Sequence, residues 1–375
     1  MKRFLTLALA ILLLVPSSYA QTPQDMSPAL RSLWEGEKVI PGSARAGHAG
    51  YWETPMDITD EAAVWAMLTA PITVVKGHQK TQTYLLAEPR EDAQPVADIT
   101  YDSQGLHVLE TLDNGWTKVE AYSSSFADSK LKRWNELVAG YIRTDELEVV
   151  QPKTKYGLVV DKLTQRLYIF EDGKLLDVLR ASTGLANDRQ PYNETRSGEF
   201  LLVSRVGDFR SDNLICAMGI RFNSGDIMHE VPHVIRDGEK YYGVNEERLG
   251  ERASHGCIRI QRRRSDQGIS MAWLWKNITN QQLDTKLVIW EDVMGRQMAY
   301  PSDDALVYHV PARKGWYHEA ETCYNVRSSD EPMQAIPYSD LETDTYRKYR
   351  PCTFCVPPLR RADIDEINHA HQVQP

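Results

Sequence analysis

The chain of 375 residues carries 43 Lys and Arg against 52 Asp and Glu, a formal net charge of -9 that excludes a general nucleic-acid binder, whose surface needs an excess of basic residues. Its 42% hydrophobic content is enough for real cores, and at roughly 100 to 200 residues per domain the length allows two large domains or three small ones. Beyond residues 1–20 no stretch is apolar enough for a membrane helix, which takes about 20 such residues.

In chain order, Lys2 and Arg3 precede an apolar run over 4–15 and the small residues Ser18 and Ala20. This reads as a secretory signal over 1–20, removed before Gln21, and predicts a product that is periplasmic or otherwise extracytoplasmic. Residues 21–60 show no sustained period and form a lead segment. From Trp65 the pattern changes to short β-type runs at 72–75, 83–86, 106–109, 116–119 and 138–142. Turn residues such as Asp113-Asn114-Gly115 separate them, which predicts a small antiparallel barrel over 61–150. Gln151-Pro152 marks a linker. Over 155–293 come further strands at 157–161, 166–170, 175–180, 198–203 and 286–290, with Asp172-Gly173 as a hairpin signal and a helix at 270–277. A piece over 300–360 is rich in Tyr, Pro and charge, and 361–375 is a polar tail. The expectation is a mainly β chain.

The run Ser254-His255-Gly256-Cys257-Ile258-Arg259 sets a thiol beside an imidazole. An ordinary Cys with pKa about 8.5 is barely ionised at neutral pH, so a nucleophilic thiol needs a base nearby. Gly256 lets the backbone approach a substrate closely, and the amides around Cys257 could hold an oxyanion. The plain alternative is a buried structural Cys beside a surface His. The five cysteines are an odd number for an exported chain, which leaves Cys257 as the candidate unpaired thiol, whereas Cys216 reads as a buried strand residue. The basic cluster Arg259, Arg262, Arg263 and Arg264 reads either as a solvated loop or as a guide for acidic substrate groups.

Several motifs in order resemble the L,D-transpeptidase (YkuD) catalytic domain over 155–293. They are the opening hairpin, Ala181-Ser182-Thr183-Gly184, and Thr195-Arg196-Ser197-Gly198-Glu199-Phe200 where the family has a Thr-Pro-x-Gly-x-Phe turn. Ile227-Met228-His229, Leu249-Gly250 and the Cys257 run follow. The resemblance implies a mixed β-sandwich with short helices, Cys257 as nucleophile and His229 as its base, held in the right tautomer by the Glu230 carbonyl. It implies that His255, Gly256 and the Cys257 amide line the oxyanion site, that Ser254 and Arg259 serve substrate binding, with bracing of the loop as the alternative for Arg259, and that catalysis needs no cofactor. The implied reaction is acyl transfer on peptidoglycan stem peptides. The acceptor is a second stem amine in a transpeptidase or water in a carboxypeptidase, and a wall-binding scaffold with a degenerate domain is the reading from another class. Gly115-Trp116-Thr117-Lys118-Val119 and Gly140-Tyr141-Ile142 resemble a bacterial SH3-like domain, which implies either cell-wall contact or a structural spacer.

The stretch between His229 and Ser254 is longer than in the family and holds a second histidine, His233, read as an exposed loop residue. Its portion 234–248, with Asp237-Gly238, predicts a hairpin lid. Gln261-Arg262 stands where many relatives have an Asn. At the far end His318, Cys323, Cys352 and Cys355 have the types of a Cys3His structural zinc site. A disulfide from Cys323 to Cys352 or Cys355, or a redox-active Cys352-Cys355 pair, competes with it.

Overall fold

The computed structural model describes residues 39–40, 56–77, 82–292, 296–319, 321, 323, 326, 331–352, 355 and 357–373. The secretory signal and most of the lead segment lie outside the described residues. Among the described residues no helix is long and apolar enough to cross a membrane.

Helix α1 (Glu61–Thr69) is an element the β-type reading of this region missed. Asp60 caps it by accepting from the Ala63 amide at 3.0 Å, and Val64, Met67 and Leu68 form a stripe at helical spacing. That stripe packs on Val159, Tyr168, Phe170, Leu175, Val288 and Trp290, so α1 covers one face of the sheet that carries these residues. Glu61 fastens it there by accepting from Lys174 Nζ and the Leu175 amide, both at 2.8 Å.

Five antiparallel strands follow: β1 (Gln82–Leu86), β2 (Pro95–Thr100), β3 (His107–Thr111), β4 (Trp116–Ser124) and β5 (Trp134–Arg143), in the order β2-β1-β5-β4-β3. Val75, Leu85, Ile99, Val119 and Ile142 are among the residues of their core. Ile72–Val75 and Leu147–Val150 pair beside them as a two-stranded ribbon.

The large sheet has nine strands: β6 (Lys153–Asp161), β7 (Arg166–Glu171), β8 (Lys174–Ser182), β9 (Gly198–Leu201), β10 (Ser204–Ser211), β11 (Leu214–Arg221), β12 (Ile227–Glu230), β13 (Ile258–Ile260) and β14 (Thr285–Trp290). Their order is β9-β14-β6-β7-β8-β13-β12-β11-β10. Alternate residues of β6 enter different cores: Val159 meets α1, while Leu158 and Val160 face the main core with Ile220, Met228, Ile258 and Leu287. Burial on both faces explains the near-continuous apolar runs. Asp172-Gly173 turns β7 into β8 with φ of 47° and 86°, the double left-handed geometry of a tight hairpin.

The remaining helices are α2 (Gly243–Glu247), α3 (Met271–Asn277) and α4 (Arg361–Val373). α3 puts Met271 and Leu274 into the main core. The segment read as a polar tail contains α4, because Ile364 and Ile367 stand one turn apart and bury against Leu163 and Met298. Between them a small module pairs Leu306–His309 with Gln334–Pro337 and Trp316–Tyr317 with Arg350–Pro351.

Candidate active site

β12 and β13 are parallel neighbours in the register Met228 to Ile258, His229 to Arg259 and Glu230 to Ile260. Met228 and Ile258 point into the main core, so strand alternation turns His229 and Arg259 to the other side, and Cys257, just before β13, shares that side. Parallel strands cannot be joined by a tight turn, and the chain uses residues 231–257 as the crossover. The crossover begins with a ribbon of Val234–Arg236 and Glu239–Tyr241 around Asp237-Gly238, then α2.

His229 is 2% exposed, its Nδ1 lies 2.6 Å from the Glu230 carbonyl, and the Phe209 ring stands edge-on at 5.4 Å. Nδ1–H donating to that carbonyl leaves the Nε2 lone pair available as a base. Burial pushes the imidazolium pKa down to about 4, with the Glu230 carbonyl opposing and the Arg259 charge adding. Burial also pushes the half-buried Cys257 thiol up to about 12, reinforced by the Asp226 carboxylate and opposed by a backbone bond at Ile227. No hydrogen bond joins Cys257 Sγ to His229 among the described contacts. Burial thus favours the neutral form of both the thiol and the imidazole.

Gly256 has φ +119°, and a Cβ there would lie 2.8 Å from Asp226 Oδ1 and 3.1 Å from an Arg196 nitrogen. Its carbonyl accepts from Thr195 Oγ1 at 2.7 Å, and Thr195 Oγ1 in turn accepts from the Gly184 amide at 2.8 Å. The Gly256 amide donates to Ser254 Oγ at 3.2 Å, and that hydroxyl donates to the Cys257 carbonyl. Ser254 therefore ties the loop to itself and occupies the Gly256 amide. His255 is exposed.

Three groups escaped the sequence reading. Asp226 and Arg196 form a buried ion pair at 3.2 Å beneath Gly256. Arg196 also donates to the Ser125 carbonyl at 2.5 Å and lies 3.8 Å over the Phe126 ring, so the loop after β4 reaches the Cys257 loop from outside the nine-stranded sheet. Thr100 and Ser124 extend this contact through Asn223. A second network sets Lys162 Nζ 2.7 Å from Glu194 and 3.0 Å from Glu291, with Arg252 pairing Glu194 and Asp292 just ahead of Ser254. The departure from Pro at Arg196 was the visible signal; the pairing with Asp226 had none.

One expectation is corrected. His233 is not an exposed loop residue: it is 2% exposed, exchanges backbone bonds with Ile215 at 2.8 and 3.0 Å, and packs against Tyr242 at 5.1 Å. The pairing with Ile215 carries the segment past Pro232 under the ribbon. Arg262 and Arg263 are partly exposed, and both donate to Glu246 of α2 at 2.9 Å. Arg259 reaches Asn245 Oδ1 at 3.4 Å, and Tyr242 donates to Glu230 at 3.1 Å, so the inserted segment is pinned onto β12 and β13. Arg259 braces the insert while its charge lies close enough to act on Cys216 and Cys257. Cys216 is a buried residue of β11, its thiol pushed up to about 11 by burial.

Far from this site, His318, Cys323, Cys352 and Cys355 converge, all four buried, with their ligand atoms within 4.8 Å of one another.

Residues 155–289 match the YkuD family, described as the L,D-transpeptidase catalytic domain. That segment is an L,D-transpeptidase catalytic domain of the YkuD family, built on the curled, mainly β sheet described above. Among solved structures, an L,D-transpeptidase from Xylanimonas cellulosilytica is 21% identical over 36% of this chain and 59% of its own, at a TM-score of 0.25. One from Mycobacterium smegmatis is 15% identical over 50% and 99%, at 0.27, and one from Mycobacterium tuberculosis H37Rv is 12% identical over 68% and 91%, at 0.28. The chain thus spans less than two thirds of the length of the Xylanimonas protein. Comparison with curated proteins gives no match.

Proposed function

We propose that the protein is an extracytoplasmic cysteine L,D-transpeptidase that cross-links peptidoglycan stems. The observation that carries this reading is the placement of Cys257 and His229 on one side of the parallel β12–β13 pair within a domain of this family. His229 Nε2 takes the thiol proton as Sγ attacks the carbonyl between positions three and four of a stem tetrapeptide. The electron pair of the carbonyl moves to its oxygen, next to the Cys257 amide. When the carbonyl re-forms, the imidazolium returns the proton to the departing amine of D-Ala, and a thioester remains on Cys257. An amine from a second stem then attacks the thioester, restoring the thiol. No cofactor enters these steps.

Burial disfavours both a free Cys257 thiolate and a His229 imidazolium, which supports proton transfer to His229 in concert with attack on the carbonyl rather than ahead of it. Export rests on the charged and apolar pattern of residues 1–20. Contact between the β1–β5 sheet and the wall is a further part of the proposal, on the SH3-like resemblance of its motifs.

The test is mass spectrometry of disaccharide-tetrapeptide muropeptide incubated with the mature protein and with Cys257→Ala. A dimer lacking one D-Ala, absent with the variant, is expected. A monomer that has only lost D-Ala would make the enzyme a carboxypeptidase, and unchanged substrate with no carbapenem adduct on Cys257 would favour a scaffold.

A further inference from the structure

We propose that His318, Cys323, Cys352 and Cys355 form a closed structural zinc site that fastens the C-terminal module and helix α4 to the catalytic domain. The inference is independent of the reaction at Cys257. The four ligand atoms lie within 4.8 Å of one another, and the residues come from three separate stretches of chain. Cys323 Sγ and Cys352 Sγ are 3.8 Å apart, and Cys355 Sγ is 3.7 Å from His318 Nδ1. A tetrahedral zinc with Zn–S of about 2.3 Å and Zn–N of about 2.0 Å has edges of about 3.8 Å between sulfurs and about 3.5 Å between sulfur and nitrogen. The two separations match the edges of that tetrahedron.

The local fold holds these side chains in place before any metal binds. The Tyr308–His318 bridge fixes His318 at 2.7 and 2.8 Å, and the Cys352 amide donates to the Tyr317 carbonyl at 2.9 Å, so neighbouring strands carry two of the ligands. The Glu319 amide donates to Cys355 Sγ at 3.3 Å, the type of outer contact that stabilises a metal thiolate. Binding converts three thiols and one neutral imidazole into a complex of charge -1 and releases three protons.

The alternatives fit less well. The Cys323 and Cys352 sulfurs are almost twice a bonded S–S distance of about 2.05 Å apart. A disulfide between them would also give no role to the Cys355 thiol and the His318 imidazole gathered beside it. Cys352 is 0% and Cys355 8% exposed, which is poor access for thiol exchange with a partner.

The site also supplies what the module lacks. One of its two apolar clusters consists of Val310, Val326 and three of the cysteines themselves. Pieces this small usually need a staple. Immediately after Cys355 the chain gives the Pro358 and Leu359 carbonyls to Tyr317 and Tyr338 at 2.6 Å, then enters α4 with Ile364 on Leu163. Zinc would therefore hold the root of the helix that caps the β6–β7 turn.

The full mature chain, exported and purified without chelator, should carry one equivalent of zinc by elemental analysis. Zinc content should be unchanged in Cys257→Ala and fall at least about tenfold in His318→Ala and Cys355→Ser. Because those variants may misfold, the wild-type protein exchanged into cobalt provides a second readout, with thiolate-to-metal charge transfer and tetrahedral visible bands expected. Metal-poor protein whose non-reduced mass shows the loss of two hydrogens in the C-terminal peptides would overturn the proposal, as would a cobalt spectrum without thiolate bands.

Discussion

Arg196 and Asp226 face each other at 3.2 Å, both almost wholly buried, where a Cβ at residue 256 would point. Removing one member leaves the other charge buried and uncompensated, which costs about 3 to 5 kcal/mol. Arg196→Met should lower the urea midpoint accordingly and slow acylation of Cys257, and Arg196→Met with Asp226→Asn should recover part of both. Denaturation curves read beside carbapenem acylation rates check this, with Asp226→Asn alone closing the cycle; losses that simply add in the double variant would show that the pair is not coupled.

Gly256→Ala combines a left-handed φ of +119° with a Cβ 2.8 Å from Asp226 Oδ1. The strain of placing an L residue there is about 1 to 3 kcal/mol before the contact is relieved. Acylation should fall by at least about 100-fold, the scale of losing one oxyanion donor, with the fold retained. Acylation at the wild-type rate would mean that the loop tolerates a different path.

Cys257 should be a slow thiol. With its pKa pushed up to about 12, iodoacetamide labelling of the substrate-free protein should be slow at neutral pH and climb through the alkaline range. Peptide mapping across a pH series gives the profile. An inflection below pH 7 would mean that an ion pair with His229 already exists at rest.

His229 contributes a pH dependence of known sign. Its folded pKa of about 4 is below the ordinary value of 6.5, so the native state binds fewer protons than the unfolded chain in that window, and stability falls as pH drops from about 6.5 to 4. The full loss is about 3 kcal/mol for a shift of this size. His229→Gln should remove it, so the stability difference between wild type and variant should shrink on acidification. Chemical denaturation at pH 7 and pH 4.5 tests this, and a constant difference would contradict burial of a neutral ring.

Glu246 ties Arg262 and Arg263 to the insert at half-exposed positions. Such pairs contribute about 0 to 1 kcal/mol, so Glu246→Ala should barely move global stability. Local opening should increase instead, read as faster amide exchange over 234–248. Unchanged exchange would assign the anchoring to the Tyr242–Glu230 and Arg259–Asn245 contacts.

The period-two runs and the Asp172-Gly173 turn made the catalytic strands readable, because burial on one or both faces leaves a direct mark on side-chain type. α1 was hidden for the opposite reason: Val64, Met67 and Leu68 are a short stripe whose partners, Val159 and Trp290, stand almost a hundred or more residues away. The Cys257 run and His229 were legible as chemistry. Asp226 and Ser125 were not, since nothing in the local spacing of either points to Arg196. His233 was misread because a residue after Pro suggests a loop, whereas its backbone completes a bridge to Ile215.

The position of α1 bears on how far the catalytic domain is a separable unit. A chain beginning at the linker would contain every residue of the Cys257 loop, yet it would bare the apolar side formed by Val159, Tyr168, Phe170, Val288 and Trp290 and withdraw the Ser125 carbonyl from Arg196. The β1–β5 sheet and helix α1 are thus part of the catalytic domain's foundation as well as appendages to it, and recombining this domain with foreign modules will succeed only where the new neighbour roofs the same face.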